Sequence, residues 1–122
     1  MAEIEDAIRF HNCFDNVLKY CSDRDSARAM KNLCAFFHNG TLEESFWGHI
    51  YNIGGAPCRI STYEMYRIMY GAIGMTNLDY MLSPKKEATL NFHGQYYLDG
   101  DKLENYLHFR HDSMQYFYDC YL

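Results

Sequence analysis

The spacing of apolar residues changes along the chain, and each change marks a predicted element. In residues 17–21 (VLKYC), strand-forming side chains stand between polar residues, which predicts a short β-strand. Over residues 25–37 the apolar positions are three or four apart, and this spacing predicts an amphipathic helix. Asp25 is the predicted N-cap of that helix, and Asn39 with Gly40 is its predicted end.

The next segment combines a helix-start signal with an alternating stretch. Thr41 and Glu44 have the spacing of a capping box, which predicts one or two helical turns. Apolar and polar residues then alternate over residues 49–53 (HIYNI), which predicts a strand that ends at Gly54 and Gly55. We expect the two glycines to let the backbone turn sharply into the following helix, where a side chain would clash.

Two more helical regions are predicted in the second half of the chain. Ser61 and Glu64 form another capping-box pattern, and the helix that they begin should stop at Gly74. Residues 88–98 are predicted to be extended, and Asp101 is the predicted N-cap of a last helical region that continues to the end of the sequence. Strand, helix, strand, helix, extended segment and helix, in this order, predict an α/β fold.

Length and composition predict one globular domain over residues 1–122, in which residues 1–16 are poorly determined and residues 17–122 carry the α/β region. No apolar run reaches the roughly 20 residues of a transmembrane helix, and the acidic N-terminus does not resemble a secretory leader. The five cysteines are odd in number and widely spaced. This usage indicates reduced thiols in the cytoplasm rather than a disulfide framework or a zinc site.

The net charge and the aromatic content of the chain indicate which kinds of binding partner to expect. The net charge of -5, with scattered lysines and arginines, argues against a nucleic-acid partner. The 12 tyrosines are concentrated towards the C-terminus. Tyrosines of this kind are typical of half-buried positions at domain or subunit surfaces, so self-association through this region is one expectation.

Histidines and one cysteine are weighed as reactive or metal-binding groups. His108 and His111 are three residues apart and could share a helical face, with His93 as a third ligand. Without an HExxH motif such histidines are more often structural, so no metal site is predicted. Cys58 stands beside Arg59, whose charge could favour the thiolate, but the sequence places no histidine base near it, so a buried or inert thiol is the favoured interpretation.

Four segments in order carry a resemblance to a known family. They are residues 17–33 (VLKYCSDRDSARAMKNL), residues 50–64 (IYNIGGAPCRISTYE), residues 84–87 (PKKE) and residues 96–109 with Tyr96, Asp99, Asp101 and Lys102. Together they resemble the C-terminal, substrate-binding half of the extended short-chain dehydrogenase/reductases, the NAD-dependent epimerase/dehydratase family. The resemblance covers most of residues 17–110 and implies a small mixed α/β domain without the N-terminal Rossmann half.

The resemblance also implies a substrate site. In this family a basic residue at the PKKE-like turn meets the diphosphate of a nucleotide-linked sugar, which gives the role to Lys86, with Lys85 beside it. Tyr96, in a segment similar to the family's pocket lining, is the aromatic residue expected to face the substrate, with simple packing between lobes as the alternative. Asp15 and Asn16 stand where nucleotide-sugar enzymes often have an arginine, and Asp15 would repel a diphosphate.

The family's catalytic and cofactor motifs are missing from the sequence. It contains neither a G-x-x-G-x-x-G turn nor a Y-x-x-x-K pair, so we predict no catalytic and no cofactor-binding residue in this chain. NAD(P) would be bound only by a Rossmann half on another chain or in a longer parent. The main hypothesis is therefore the substrate-binding portion of an epimerase/dehydratase-like oxidoreductase, inactive alone. The alternatives are a free-standing binding or oligomerisation module and a truncated product without activity.

Overall fold

The structure, a computed structural model, describes residue 13, residues 15–79 and residues 97–121. Within these residues there are four α-helices and one two-stranded antiparallel sheet. This confirms the prediction of a small mixed α/β fold. No helix in the described part of the chain is long and apolar enough to span a membrane.

The strands β1 (Val17–Lys19) and β2 (Arg59–Ser61) pair with each other. Main-chain hydrogen bonds continue the pairing beyond both ends, from the Thr62 amide to the Asn16 carbonyl and from the Tyr20 amide to the Cys58 carbonyl. The predicted first strand is confirmed in part, because β1 ends before Tyr20.

The strand predicted over residues 49–53 is wrong, since this segment has no regular secondary structure. Ile50 is 94% exposed, so the alternation of residue types does not correspond to a buried face. The strand lies instead at β2, after the glycines and a single 3₁₀ turn at Ala56–Cys58.

Helix α1 (Asp23–His38) begins and ends with clear caps. The Ser22 hydroxyl accepts a hydrogen bond from the Asp25 amide, so Ser22 and not Asp25 is the N-cap. Asp25 is buried, and its carboxylate is used elsewhere. Asn39 is the C-cap, which agrees with the predicted end of this helix.

The capping box predicted for Thr41 and Glu44 does not form. Glu43 is the N-cap of one 3₁₀ turn, Glu44–Phe46, and makes no side-chain capping bond. The Thr41 hydroxyl instead donates to the Phe36 carbonyl at the end of α1, at 3.3 Å. The predicted helical turn is therefore present without its predicted cap.

Helix α2 (Thr62–Ala72) confirms the second capping box in full. The Ser61 hydroxyl accepts from the Glu64 amide, and the Glu64 carboxylate accepts from the Ser61 amide. The chain leaves the helix through Gly74, whose φ of 84° suits glycine.

Two helices, α3 (Asp101–Leu107) and α4 (Met114–Tyr121), form the last helical region. Gly100 and not Asp101 is the N-cap of α3. The predicted continuous helix is interrupted because His108 has a left-handed backbone, with φ 47°. The Glu104 carboxylate then accepts from the Phe109 amide at 2.9 Å and from the Arg110 amide at 3.0 Å, which satisfies main-chain donors outside the helices.

The chain forms two compact units. The first contains the residues up to Leu18, residues 60–79 and residues 120–121 of the described chain. The second contains Lys19–Arg59 and Tyr97–Asp119, with a core made of Ala29, Phe46, Leu103, Leu107 and Phe109. The single domain over residues 1–122 stays a prediction.

Candidate functional site

The substrate-binding residues predicted from the family resemblance, Lys85, Lys86 and Tyr96, lie outside the described residues, as does His93. The extended segment predicted over residues 88–98 is described only at its last two residues, and Leu98 is in a turn. The candidate site that the structure contains is formed by other residues, all of them in the second unit.

The two histidines weighed as metal ligands do not share a helical face. His108 caps the end of α3, and His111 lies in the segment between α3 and α4. The His111 amide donates to the Asp25 carboxylate at 3.1 Å, so this region is held by hydrogen bonds. Among the residues that the structure describes, no group of three or more histidine, cysteine or acidic side chains could hold a metal ion.

Cys58 is the inert thiol rather than the activated one. It is 2% exposed, and burial, with smaller contributions from Asp25 and other neighbours, raises its pKa to about 11. Its Sγ atom lies 3.5 Å from the Asp112 carbonyl oxygen. The favoured interpretation of Cys58 as a buried thiol is therefore confirmed over the activated thiolate.

Two buried carboxylates hold the segment between α3 and α4 against α1. Asp25 forms an ion pair with Arg28 and accepts from the Asp112 amide at 3.1 Å. Asp112 accepts from the Ser22 hydroxyl at 2.6 Å and from the Arg24 guanidinium through Nε at 3.0 Å. These hydrogen bonds hold the pKa of Asp112 below its usual range. Both carboxylates are therefore engaged in contacts that hold this segment in place.

The Arg110 side chain contacts the main chain at the first glycine of the GGAP stretch. Its guanidinium donates to the carbonyls of Gly54 and Gly100 and pairs with Asp101. A Cβ atom at Gly55 would lie 3.4 Å from Cδ of Pro57 and 3.6 Å from Cδ of Arg110, and one at Gly54 would have no heavy atom nearer than 3.8 Å. Gly55 has a φ of -128°, which any residue adopts, and a Cβ atom at either glycine would make only ordinary contacts, so the prediction that a side chain would clash here is wrong.

The candidate site is an open groove of about 530 Å³, lined by residues 43–51 and by α3. Its polar lining consists of Glu43, Ser45, His49, Lys102 and Asn105. Its other lining residues are Ile50, Tyr51 and Tyr106. The volume of the groove is within the range of small-molecule sites, and its lining combines two aromatic rings with five other polar side chains.

An aromatic cluster fixes the tyrosines of the groove. Phe46, which is 9% exposed, stacks on Tyr51 with ring centroids 5.0 Å apart and meets Tyr106 edge to face at 5.4 Å. The Tyr51 hydroxyl donates to the Phe46 carbonyl at 2.7 Å. Burial and the neighbouring Tyr106 raise the pKa of Tyr51, which keeps its hydroxyl protonated. The rings are therefore held in place before any ligand arrives.

Some polar groups of the groove are engaged with each other and others are not. The Tyr106 hydroxyl donates to Oγ of Ser45 at 3.1 Å, and the Ser45 hydroxyl donates to the Glu43 carboxylate at 3.1 Å. The Lys102 ammonium and the Asn105 amide, by contrast, make no side-chain hydrogen bond or ion pair with any described residue. These two groups are free to contact a ligand.

A second, smaller depression of about 230 Å³ adjoins the groove. It shares Glu43, Asn105 and Tyr106 with the larger one, and its other lining residues are Phe36, Thr41, Leu42 and His108. The two depressions therefore meet at three common side chains.

The reasoning from sequence missed this groove. Residues 43–51 and 102–106 are far apart in the chain, and the Tyr106–Ser45 hydrogen bond joins positions 61 residues apart. The signal that was present is the aromatic series Phe46, Trp47 and Tyr51. The capping-box spacing assigned the first two to a helical turn, and the alternating pattern assigned Tyr51 to a strand.

No protein-family model, no curated protein and no solved structure matches this chain.

Proposed function

We propose that this chain is a ligand-binding module that holds a small polar molecule in the groove between residues 43–51 and α3. The observation that carries the proposal is the groove itself, in which two fixed tyrosines stand beside two polar side chains without partners in the described chain. The carboxylates of Asp25 and Asp112 are engaged in hydrogen bonds and the Cys58 thiol is buried, so these three groups are not available to a ligand.

A titration of the full chain, followed by the amide resonances in ¹H–¹⁵N correlation spectra, tests this function. The probes are a panel of small polar compounds: sugars, nucleotides, amino acids and carboxylates. We expect at least one compound to shift the resonances of residues 43–51 and 102–106. Lys102→Ala should weaken that binding, whereas Lys31→Ala, an exposed lysine on α1, serves as the matched control. The function is wrong if no compound shifts these resonances in a folded chain.

A second candidate follows from the family resemblance, supported by the position of Lys102. This lysine belongs to the fourth resembling segment and lines the groove. On this hypothesis the module is the substrate-binding portion of an NAD(P)-dependent epimerase/dehydratase-like oxidoreductase, and a partner chain supplies the Rossmann half. It predicts that a nucleotide-sugar binds, that NAD(H) does not, and that Lys86→Ala weakens the binding. Binding that is unchanged in Lys86→Ala would count against it.

A further inference from the structure

We infer that the ligand of the groove is a neutral oligosaccharide with sugar units in both depressions; this inference rests on the proposed binding function. The juxtaposition that supports it is the sharing of Glu43, Asn105 and Tyr106 between the larger and the smaller depression. A ligand made of linked units can fill both and keep contact with the shared side chains. A single small molecule would fill one of them.

The charges of the lining favour an uncharged ligand. The larger depression contains one carboxylate, Glu43, one ammonium, Lys102, and one imidazole, His49. An anionic ligand would face Glu43 on a chain whose net charge is -5, and a cationic ligand would face Lys102. Neither sign of charge has a complementary surface here, and a purely apolar ligand would bury the polar groups without partners.

The hydrogen-bonding groups of the lining suit hydroxyl groups in particular. A hydroxyl both donates and accepts, so one type of group can satisfy the Lys102 ammonium, either end of the Asn105 amide and the Glu43 carboxylate. Asn105 is central because it lines both depressions and makes no side-chain hydrogen bond with a described residue. A polyol offers several such groups within a short distance.

The tyrosine rings of the groove also suit a sugar ligand. The electron-rich faces of tyrosine rings attract the weakly positive C–H groups of a sugar ring and cover its apolar side. Tyr51 lines the larger depression and Tyr106 lines both, and their ring centroids are 5.9 Å apart. Each depression therefore has at least one tyrosine against which a sugar unit can pack.

A peptide fits the groove less well. Strand addition needs a free sheet edge, but the groove is lined by an irregular segment with one 3₁₀ turn and by a helix. A peptide helix needs a continuous apolar groove, whereas five of the eight residues of the larger depression are polar or charged side chains other than tyrosine.

Calorimetric titration of the full chain with defined probes tests the inference. The probes are neutral tetrasaccharides of glucose and of N-acetylglucosamine, their monosaccharides, a nucleoside-diphosphate sugar and an uncharged tetrapeptide. We expect one tetrasaccharide to bind about tenfold more tightly than its monosaccharide, with an affinity that does not change between low and high salt. Asn105→Ala should weaken this binding about tenfold, whereas Glu43→Gln should change it less than about threefold.

The charge variants separate the outcomes. If the nucleoside-diphosphate sugar binds instead, loses affinity in high salt and in Lys102→Ala and gains affinity in Glu43→Gln, the ligand is an anion. The inference is then wrong while the binding function stands. Selective binding of the tetrapeptide would have the same consequence. If none of these probes and none of the wider panel shifts the groove resonances, the binding function itself is wrong.

Discussion

The guanidinium of Arg110 donates to the main-chain carbonyl of Gly54, 56 residues earlier in the chain. The same guanidinium donates to the carbonyl of Gly100. One side chain therefore connects Gly54, where the GGAP stretch begins, with the start of α3. The Arg110 side chain is 9% exposed. Because α3 carries Lys102, Asn105 and Tyr106, this contact holds one wall of the groove.

We predict that Arg110→Ala destabilises the chain by about 3 kcal/mol, because it leaves two buried carbonyl groups without a donor. Urea unfolding followed by Trp47 fluorescence measures the loss. Arg59→Ala is the matched control, since the Arg59 side chain is exposed and makes no hydrogen bond with a described residue. Equal stabilities of the two variants would show that the Arg110 contacts contribute nothing.

Two glycine substitutions, one within α2 and one after it, should change the free energy of unfolding in opposite directions. Gly71 lies within the helix, and a Cβ there would meet nothing within 4 Å, so Gly71→Ala should stabilise by about 0.5–1 kcal/mol. Gly74 has a φ of 84°, so Gly74→Ala should destabilise by about 1 kcal/mol. Unfolding curves of the two variants check this, and a shift in the same direction for both would refute it.

How far the sequence predicts the fold depends on whether a signal is local. The Ser61–Glu64 capping box is complete within four residues, and the structure contains it as predicted. The N-cap of α1 was misplaced because Asp25 is used by a distant partner, the amide groups of His111 and Asp112. A propensity rule has no information about partners 86 or 87 residues away.

The groove shows the same limit. Residues 49–53 alternate like a strand, but a strand also needs an adjacent chain for its hydrogen bonds. Here Tyr51 packs on Phe46 and Tyr106, while Ile50 is left exposed. The contacts that define the groove are between segments distant in sequence, so residue types could suggest an aromatic cluster but not its location.

Asp112 should make stability depend on pH in the acidic range. Hydrogen bonds from Arg24 and Ser22 lower its pKa in the folded state below the ordinary value of 3.8. The stabilisation is therefore fully present above 3.8 and is lost as the pH falls through the lower pKa of the folded state. Urea midpoints measured across this range should fall for the wild type, and the fall should be smaller in Asp112→Asn.

Asp101→Asn is the control for this pH dependence. Arg110 also lowers the pKa of Asp101, but the Asp101 side chain is 76% exposed, so solvent screens the pair. We expect Asp101→Asn to change the fall of the urea midpoint at acidic pH less than Asp112→Asn does. A larger effect of Asp101→Asn would place the pH sensitivity at the start of α3 instead.

The cysteines should differ in the rate at which they react with a thiol reagent. Cys34 and Cys120 are exposed, whereas Cys58 is buried with a pKa of about 11. At about pH 8 the exposed thiols should react quickly and Cys58 only after unfolding. The double variant Cys34→Ser/Cys120→Ser should lack the two thiols that react quickly with the reagent. If Cys58→Ser lowers the number of fast-reacting thiols, the thiol is accessible and the assignment is wrong.

Phe46 should matter both to stability and to the groove. It meets Trp47, Tyr51 and Tyr106 with centroid distances of 5.3, 5.0 and 5.4 Å. We expect Phe46→Ala to cost about 4 kcal/mol, because it leaves a cavity beneath the two tyrosines of the groove. Phe37→Ala, an exposed phenylalanine in contact with Trp47, should cost less than about 1 kcal/mol.

Phe46→Leu separates folding from binding. Leucine keeps much of the buried volume, so this variant should remain folded, but it no longer supports the Tyr51 ring by stacking. Ligand affinity in the groove should then fall about tenfold while the urea midpoint changes little, since a loosened tyrosine must be ordered again on binding. Trp47, the single tryptophan, reports unfolding by its fluorescence, and calorimetry reports affinity. Unchanged affinity in Phe46→Leu would mean that the stacked pair does not preorganise the site.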